Sequence, residues 1–421
     1  MTFLEDLRWR GLIYDETPDL KDHLEGGSRT AYIGFDPTAD SLHVGSFLQI
    51  MALRRFQQHG HKPVALVGGG TGLIGDPSGK KAERQLLTDD QVRANAQGIR
   101  AQLEKFLDFQ GENAAQMANN ADWLTQISLT DFLRDVGKHF TVQQMTARES
   151  VKRRLESEVG LSFTEFSYQL LQAYDFLYLH ENHGCTVQIG GSDQWGNITA
   201  GTDLVRRMGG KAHGLVQPLV TNASGTKFGK TESGTVWLDA ERTSPYRFYQ
   251  FWLGTDDRDV ENYLKWFTSM EQQEVSGLVL EGEKRPGARI PQRALAQVVT
   301  TLVHGADATE AAERAGRALF GGDLSALDAS ALDEVFEEAP SIEVESSRFS
   351  GDGVGVTDLL VEAGLASSKG DAKRAVQGGG VRVGDEKVAD IGRSLTVKDA
   401  IDGRVVVLRK GKKSVALVRL K

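Results

Sequence analysis

The sequence has almost no cysteine: Cys185 is the single one in 421 residues. An internal disulfide framework is excluded, and a reducing, cytoplasmic setting is expected. No apolar run approaches the roughly 20 residues that a membrane-spanning helix requires, and no apolar stretch follows the mixed charges Glu5, Asp6, Arg8 and Arg10. Neither secretion nor membrane insertion is expected. A partner CxxC or HxxxH is also missing, so His180, His183 and Cys185 fall short of the four ligands of a structural zinc site. No protein-held metal is expected. Excess positive charge is absent too, with a formal net charge of −9. The charge is unevenly spread, however: residues 351–421 hold 14 Lys/Arg against 9 Asp/Glu, leaving −14 for residues 1–350. A basic tail on an acidic body is an electrostatic footprint for a polyanion.

What is present is an ordinary globular composition, 40% hydrophobic and 25% charged, in a chain long enough for two or three domains. The chain is organised around Ala31–Ser46. Ala31–Phe35 is a short apolar strand, Asp36-Pro37 is turn chemistry, and Asp40-Ser41 offers capping oxygens before a helix expected over about 43–59. Such a helix N-terminus favours an anion, with His43 as a phosphate donor and Gly45 allowing a flat base to approach. An ordinary buried turn would read the same way. Lys62–Val67 supplies a second buried strand, hence a βαβ unit and a parallel sheet.

The glycine-rich segment that follows contains two decoys. Gly70, Gly72 and Gly75 spell GxGxxG, but Asp76-Pro77 interrupt where a helix should begin. Gly79-Lys80 resembles a Walker A end, yet Ile74 and Lys81 occupy positions that motif requires as glycine and Ser/Thr. These glycines instead let backbone pass under a ligand, with Asp76 aimed at the cleft. Further on, Tyr168, Gln172 and Asp175 share one face of a helix expected over 162–179, and Thr186–Ile189 is a strand running into Gly190–Asn197. The loop Ser224–Thr231 sets two lysines three apart with a hydroxyl beside the second, suited to outer phosphates or to a solvated basic turn. The aromatic series Tyr246, Tyr249, Trp252, Tyr263, Trp266 and Phe267 is read as core rather than a base-stacking surface.

Together, His43-Val44-Gly45-Ser46 and Lys227-Phe228-Gly229-Lys230-Thr231 resemble the HIGH and KMSKS signatures of class I aminoacyl-tRNA synthetases. The resemblance is to the bacterial tyrosyl branch and runs along nearly the whole chain. Ser46 stands where the signature has its second histidine, a departure expected to leave activity intact. The implied architecture is α/β: a Rossmann-like parallel-sheet catalytic domain with an inserted connective region (1–232), a helical domain (233–325), an acidic linker (326–350) and a small α+β RNA-binding domain similar to the S-four module (351–421).

The resemblance also implies roles. Tyr32 and Asp175 would meet the phenol hydroxyl of tyrosine, and Asp76, Tyr168 and Gln172 its ammonium group. Thr38, His43, Lys80, Arg84, Lys227, Lys230 and Thr231 would surround the ATP phosphates, while Gly34, Asp36, Gly45, Gly191, Asp193, Gln194 and Lys230 would hold the nucleoside or adenylate. Arg148, Lys152 and Arg153, with Lys369, Lys373 and Arg374 in the tail, are candidates for tRNA contact, although the first group reads more readily as a solvated helix face. ATP is expected as a substrate carrying Mg²⁺, tRNA(Tyr) as the acceptor, and a homodimer as the assembly. Three other readings are a non-catalytic RNA-binding protein, a nucleotidylyltransferase sharing the first signature alone, and a tryptophan enzyme. The last two leave the Tyr32/Asp175 pair unexplained.

Overall fold

The expected apolar strands do form, as neighbours at the middle of a six-stranded sheet. A computed structural model describes residues 1–76, 87–156, 160–223, 228–231, 234–319, 324, 332, 336, 339–411 and 414–421, with backbone alone at 149, 150, 153, 230, 231, 318 and 319. Contacts divide the chain into two units: residues 1–243 with 251–303, and residues 244–250 with 304–421.

The first unit holds β1 (Asp15–Glu16), β2 (Thr30–Phe35), β3 (Lys62–Val67), β4 (Gln116–Asn119), β5 (Cys185–Gly191) and β6 (His213–Gln217), in the order β1-β6-β5-β2-β3-β4. All pairs are parallel except β1 with β6. From β2 the chain moves outward to β3 and β4, and from β5 outward to β6. The two halves therefore diverge between β2 and β5, opening a crevice beyond their carboxyl ends.

Helix Val44–Gln58 crosses from β2 to β3, and its face of Phe47, Leu48, Ile50, Met51 and Phe56 is fully buried. It starts one residue after the expected 43, with His43 as N-cap and no side-chain capping bond. Ser41 does not cap it, because its hydroxyl donates to the Leu42 carbonyl instead. At the other end, buried Arg55 and Arg10 donate to the Lys265 and Thr268 carbonyls at the end of helix Val260–Phe267. Cations suit a helix C-terminus, and Asp6 neutralises part of their charge through a 2.7 Å bond from Arg10. Helix Phe163–His183 begins at Ser162, whose oxygen accepts from the Glu165 N–H, and stops at Gly184 with φ 63°. That positive φ is a left-handed cap glycine adopts at little cost. The two-residue strands β7 (Lys230–Thr231) and β8 (Gly234–Thr235) form a hairpin.

The second unit contains β9 (Ser341–Val344), β10 (Val354–Gly355), β11 (Val381–Val383), β12 (Glu386–Lys387), β13 (Ser394–Leu395), β14 (Val405–Lys410) and β15 (Ser414–Leu420). Its main sheet runs β12-β11-β14-β15-β9, with helices Val356–Glu362 and Lys369–Gln377 over one face. Val405, Val407 and Leu417 on the other face pack with Ala315, Leu324, Leu332 and Phe336.

Several details differ from the sequence reading. Helices Val260–Phe267, Gln272–Lys284 and Ile290–His304 lie mostly in the first unit, so the segment 233–325 is divided by its contacts. Within 326–350, Ser341–Val344 is a strand and Phe349 is core, because Val344 and Phe349 are apolar anchors set among acidic residues that signalled a linker. β4 has no counterpart among the sequence expectations, because it is a polar strand too short to show a period. The aromatic series is core as expected, with Trp252, Tyr263 and Phe267 buried together and Tyr249 buried in the second unit. Among the described residues, no helix is long and apolar enough to cross a membrane.

Buried His61 accepts a hydrogen bond at Nδ1 from the Arg29 N–H, and burial pushes its pKa down to about 4 from 6.5. The unfolded chain therefore binds the extra proton first. The stability due to neutral His61 is fully present above pH 6.5 and is lost as pH falls toward about 4. Denaturant midpoints should drop from pH 7 to pH 5, and His61→Gln should reduce that slope; an unchanged slope would refute this account.

Candidate active site

The crevice between β2 and β5 leads into a cavity of about 340 Å³. Its floor is built from three elements that converge because each presents a polar residue from an otherwise apolar stretch. Tyr32 comes from β2, Gln188 from its register partner position on β5, and Asp175 from helix Phe163–His183. All three are buried.

Asp175 has a donor for each oxygen: Trp123 Nε1 donates to one at 2.7 Å and Asn120 Nδ2 to the other at 2.9 Å. Burial nevertheless pushes its pKa up to about 8, against the pull of those two donors and with help from the nearby Asp36 charge. Among the described residues, the Tyr32 hydroxyl and Gln188 Oε1 have no protein partner, although both are buried. A buried polar atom left unpaired costs about 1–3 kcal/mol, so a wall with two of them is poised for a ligand's polar groups.

Higher in the cavity, Asp36 accepts from the Tyr168 hydroxyl at 2.9 Å and from Thr71 Oγ1 at 2.8 Å. Asn120 also donates to Thr71, which joins the Asp36 and Asp175 clusters through one amide. Across the cavity, Gln194 Nε2 donates to Asp76 at 2.7 Å, and Gln172 and Asn197 both donate to Gln194 Oε1. Burial, with Asp36 and Asp76 nearby, holds the Tyr168 phenol well above its usual pKa, so it is a donor at any physiological pH.

The rim carries Thr38, His43, Gly45, Gly191 and Asp193. A Cβ at Gly45 would fall 2.7 Å from His43 Cε1, so this glycine makes room for the imidazole. The first signature pairs by backbone with the segment just beyond the second: Val44 N–H donates to the Val236 carbonyl at 3.0 Å, His43 bridges Trp237, and Val236 N–H in turn donates to the Gly229 carbonyl of the second signature at 2.9 Å.

The cavity thus brings together Tyr32, Gly34, Asp36, Thr38, His43, Gly45, Asp76, Tyr168, Gln172, Asp175, Gly191, Asp193 and Gln194. Lys80, Arg84 and Lys227 lie outside the described residues, as do the side chains of Arg153, Lys230 and Thr231. Among the described residues its wall has four carboxylates and neither Lys nor Arg, which suits an ammonium group but not a polyphosphate. Arg148 is half-buried and donates to Thr199 at 2.8 Å, while Lys152 and the tail's Lys369, Lys373 and Arg374 are exposed. Thr71, Asn120, Trp123, Gln188 and Asn197 were missed from sequence. Recognising β4 would have exposed Asn120, which immediately follows that strand's carboxyl end.

Comparison with known proteins gives the same picture. Residues 25–321 match the family described as tRNA synthetases class I (W and Y), and residues 331–418 match the tyrosine–tRNA ligase SYY-like C-terminal domain. A tyrosine–tRNA ligase of Roseiflexus castenholzii is 56% identical over 421 residues, covering 100% of this chain and 99% of that one. That of Geobacillus stearothermophilus is 51% identical over 424 residues, with 100% of both chains covered. Among solved structures, a C-terminally truncated mitochondrial tyrosyl-tRNA synthetase of Aspergillus nidulans matches with TM-score 0.68 and 34% identity, covering 76% of this chain and 94% of that one. With signatures, cavity and full-length relatives in agreement, this chain belongs to the tyrosine–tRNA ligase family of class I aminoacyl-tRNA synthetases.

Proposed function

We propose that the enzyme activates L-tyrosine with ATP, giving tyrosyl-adenylate and pyrophosphate, and then transfers the tyrosyl group to the 3′ end of tRNA(Tyr). The observation that carries this reading is the placement of Tyr32 and Asp175 together at the buried end of the cavity. They meet the phenol hydroxyl of the substrate, while Asp76, Tyr168 and Gln172 hold its ammonium group. Phenylalanine would fill the same space and leave the buried Tyr32 hydroxyl unmatched and Asp175 without the phenol's hydrogen bond, so hydrogen bonding discriminates. An indole has no hydroxyl to offer there, which disfavours tryptophan. A retired, RNA-binding scaffold would have no need of an intact polar pocket.

The substrate carboxylate is already ionised, so it attacks the ATP α-phosphorus without a general base, and pyrophosphate leaves in line. The residues around it position the two substrates and stabilise charge moving onto the leaving phosphates. Thr38 and His43 act from the rim, and Asp36, Gly34, Gly45, Gly191, Asp193 and Gln194 seat the nucleoside. Because the described wall is acidic, the polyphosphate depends on Lys80, Arg84, Lys227 and Lys230 for its counter-charge, with Thr231 adding a hydroxyl donor. Mg²⁺ arrives with ATP as part of that substrate.

In the second unit, exposed Lys369, Lys373 and Arg374 on helix Lys369–Gln377 meet tRNA phosphates, and in the first unit exposed Lys152 does so separately. We place the enzyme in the cytoplasm as a homodimer, supported by Leu129, Leu133, Val142, Leu155 and Phe163. These large apolar residues all stay exposed within one 35-residue stretch, Phe163 at 78%.

Pyrophosphate exchange into ATP without tRNA should occur with tyrosine and not with phenylalanine or tryptophan; exchange with none of them from folded protein would end this reading. Tyr32→Phe removes an unpaired buried hydroxyl, so it should hold or slightly raise the melting temperature while raising the KM for tyrosine more than that for ATP. Equal KM changes would overturn the pocket assignment. Phe163→Asp should convert a dimer to a monomer in sedimentation, whereas a wild-type monomer would refute the assembly.

A further inference from the structure

The rim loop Asp36–His43 carries Thr38 and His43 into the cavity, yet it is irregular backbone whose shape must be imposed from outside. Helix Asp89–Leu103 imposes it. Asn95, Gly98 and Gln102 lie three and four apart, on one face of that helix. Asn95 Nδ2 donates to the Pro37 carbonyl at 3.0 Å, the residue before Thr38. A Cβ at Gly98 would sit 2.1 Å from the Asp40 carbonyl oxygen, so only glycine lets the helix approach this closely. Gln102 is 7% exposed and uses both ends of its amide. Its Oε1 accepts from the Leu42 N–H and its Nε2 donates to Ser41 Oγ, each at 2.8 Å.

The loop is held from its other side as well. Arg242 donates to the Asp40 carboxylate and lies 3.6 Å over the Trp237 ring, and Trp237 bridges His43 through the backbone. Neither Gln102 nor Gly98 lines the cavity.

We propose that Gln102, with Asn95 and Gly98, is a positioning residue for adenylation, holding the loop so that Thr38 and His43 meet the ATP phosphates. The proposal rests on the reading of those two residues as phosphate contacts. Gln102→Leu keeps the bulk and leaves the Leu42 N–H without its partner. A remote change that shifts a reacting group by about 1 Å costs on the order of 100-fold in rate, whereas the tyrosine pocket is built from other elements. The clamp therefore acts on kcat and on ATP, not on tyrosine.

The experiment is tyrosine-dependent pyrophosphate exchange on full-length protein, with rates divided by active sites titrated from the tyrosyl-adenylate burst. Gln102→Leu is expected to lose about 10- to 100-fold in kcat while the equilibrium Kd for tyrosine stays within about twofold. Combined with Thr38→Ala, it should slow the reaction little beyond the slower single variant, since a residue acting through Thr38 is not additive with it. Unchanged kcat per active site, or fully additive losses, would overturn the clamp. Should Gln102→Leu not fold, Asn95→Ala breaks a single half-buried bond and is read in the same way, with a loss of several-fold expected. Full activity in Thr38→Ala and His43→Asn would overturn the proposal by removing the phosphate assignment beneath it, a result distinct from a Gln102 variant that alone is silent.

Discussion

Everything in the catalytic unit depends on the parallel pairing of β2 with β5. Parallel strands need crossovers of a dozen or more residues, and the two crossovers leave this pair in opposite directions along the sheet. The loops at their carboxyl ends are therefore pulled apart, and a crevice is unavoidable. Tyr32 and Gln188 sit side by side in the register of that pairing, so the same backbone constraint that opens the cavity also supplies two polar groups to its floor.

Burying those groups creates an electrostatic problem that the rest of the site addresses. Asp175 is removed from water and shielded by Asn120 and Trp123, while Asp36 is satisfied by Tyr168 and Thr71, with Asn120 linking the two clusters. Such a network is rigid because each member is oriented by the next. It holds carboxyl groups facing the cavity, at a cost in stability of the free protein that a polar ligand relieves. The rim of the cavity is organised differently. There the geometry comes from backbone, since Val44 and His43 of the first signature pair with Val236 and Trp237, Val236 N–H donates to Gly229 of the second, and the loop leading into His43 is shaped by helix Asp89–Leu103.

Much of this was legible in the chain. The βαβ start, the helix face carrying Tyr168, Gln172 and Asp175, and the β5 strand all show local periodicity, and their boundaries were read to within a few residues. Polar residues on such elements could be assigned to a pocket because their spacing fixes which way they face. Thr71, Asn120 and Trp123 could not, because they sit on a 3-10 turn and a short helix after a polar strand, where no period survives. Arg154, adjacent in sequence to the cluster read as a solvated helix face, lies buried in a pair with Glu165, a partner in another helix that charge composition does not reveal.

By itself, then, the sequence determined the strongly periodic secondary elements, the family signatures and the cavity-lining residues that lie on regular helices and strands, because these follow from local spacing. Tertiary structure alone decided which partners those residues have and how far each pKa moves. It also decided that Ser341–Val344 belongs to a sheet and that Gln102 braces a loop some 60 positions earlier. The physical reason is that burial and hydrogen-bond pairing are properties of groups brought together across the chain, and no local pattern encodes the distance between them.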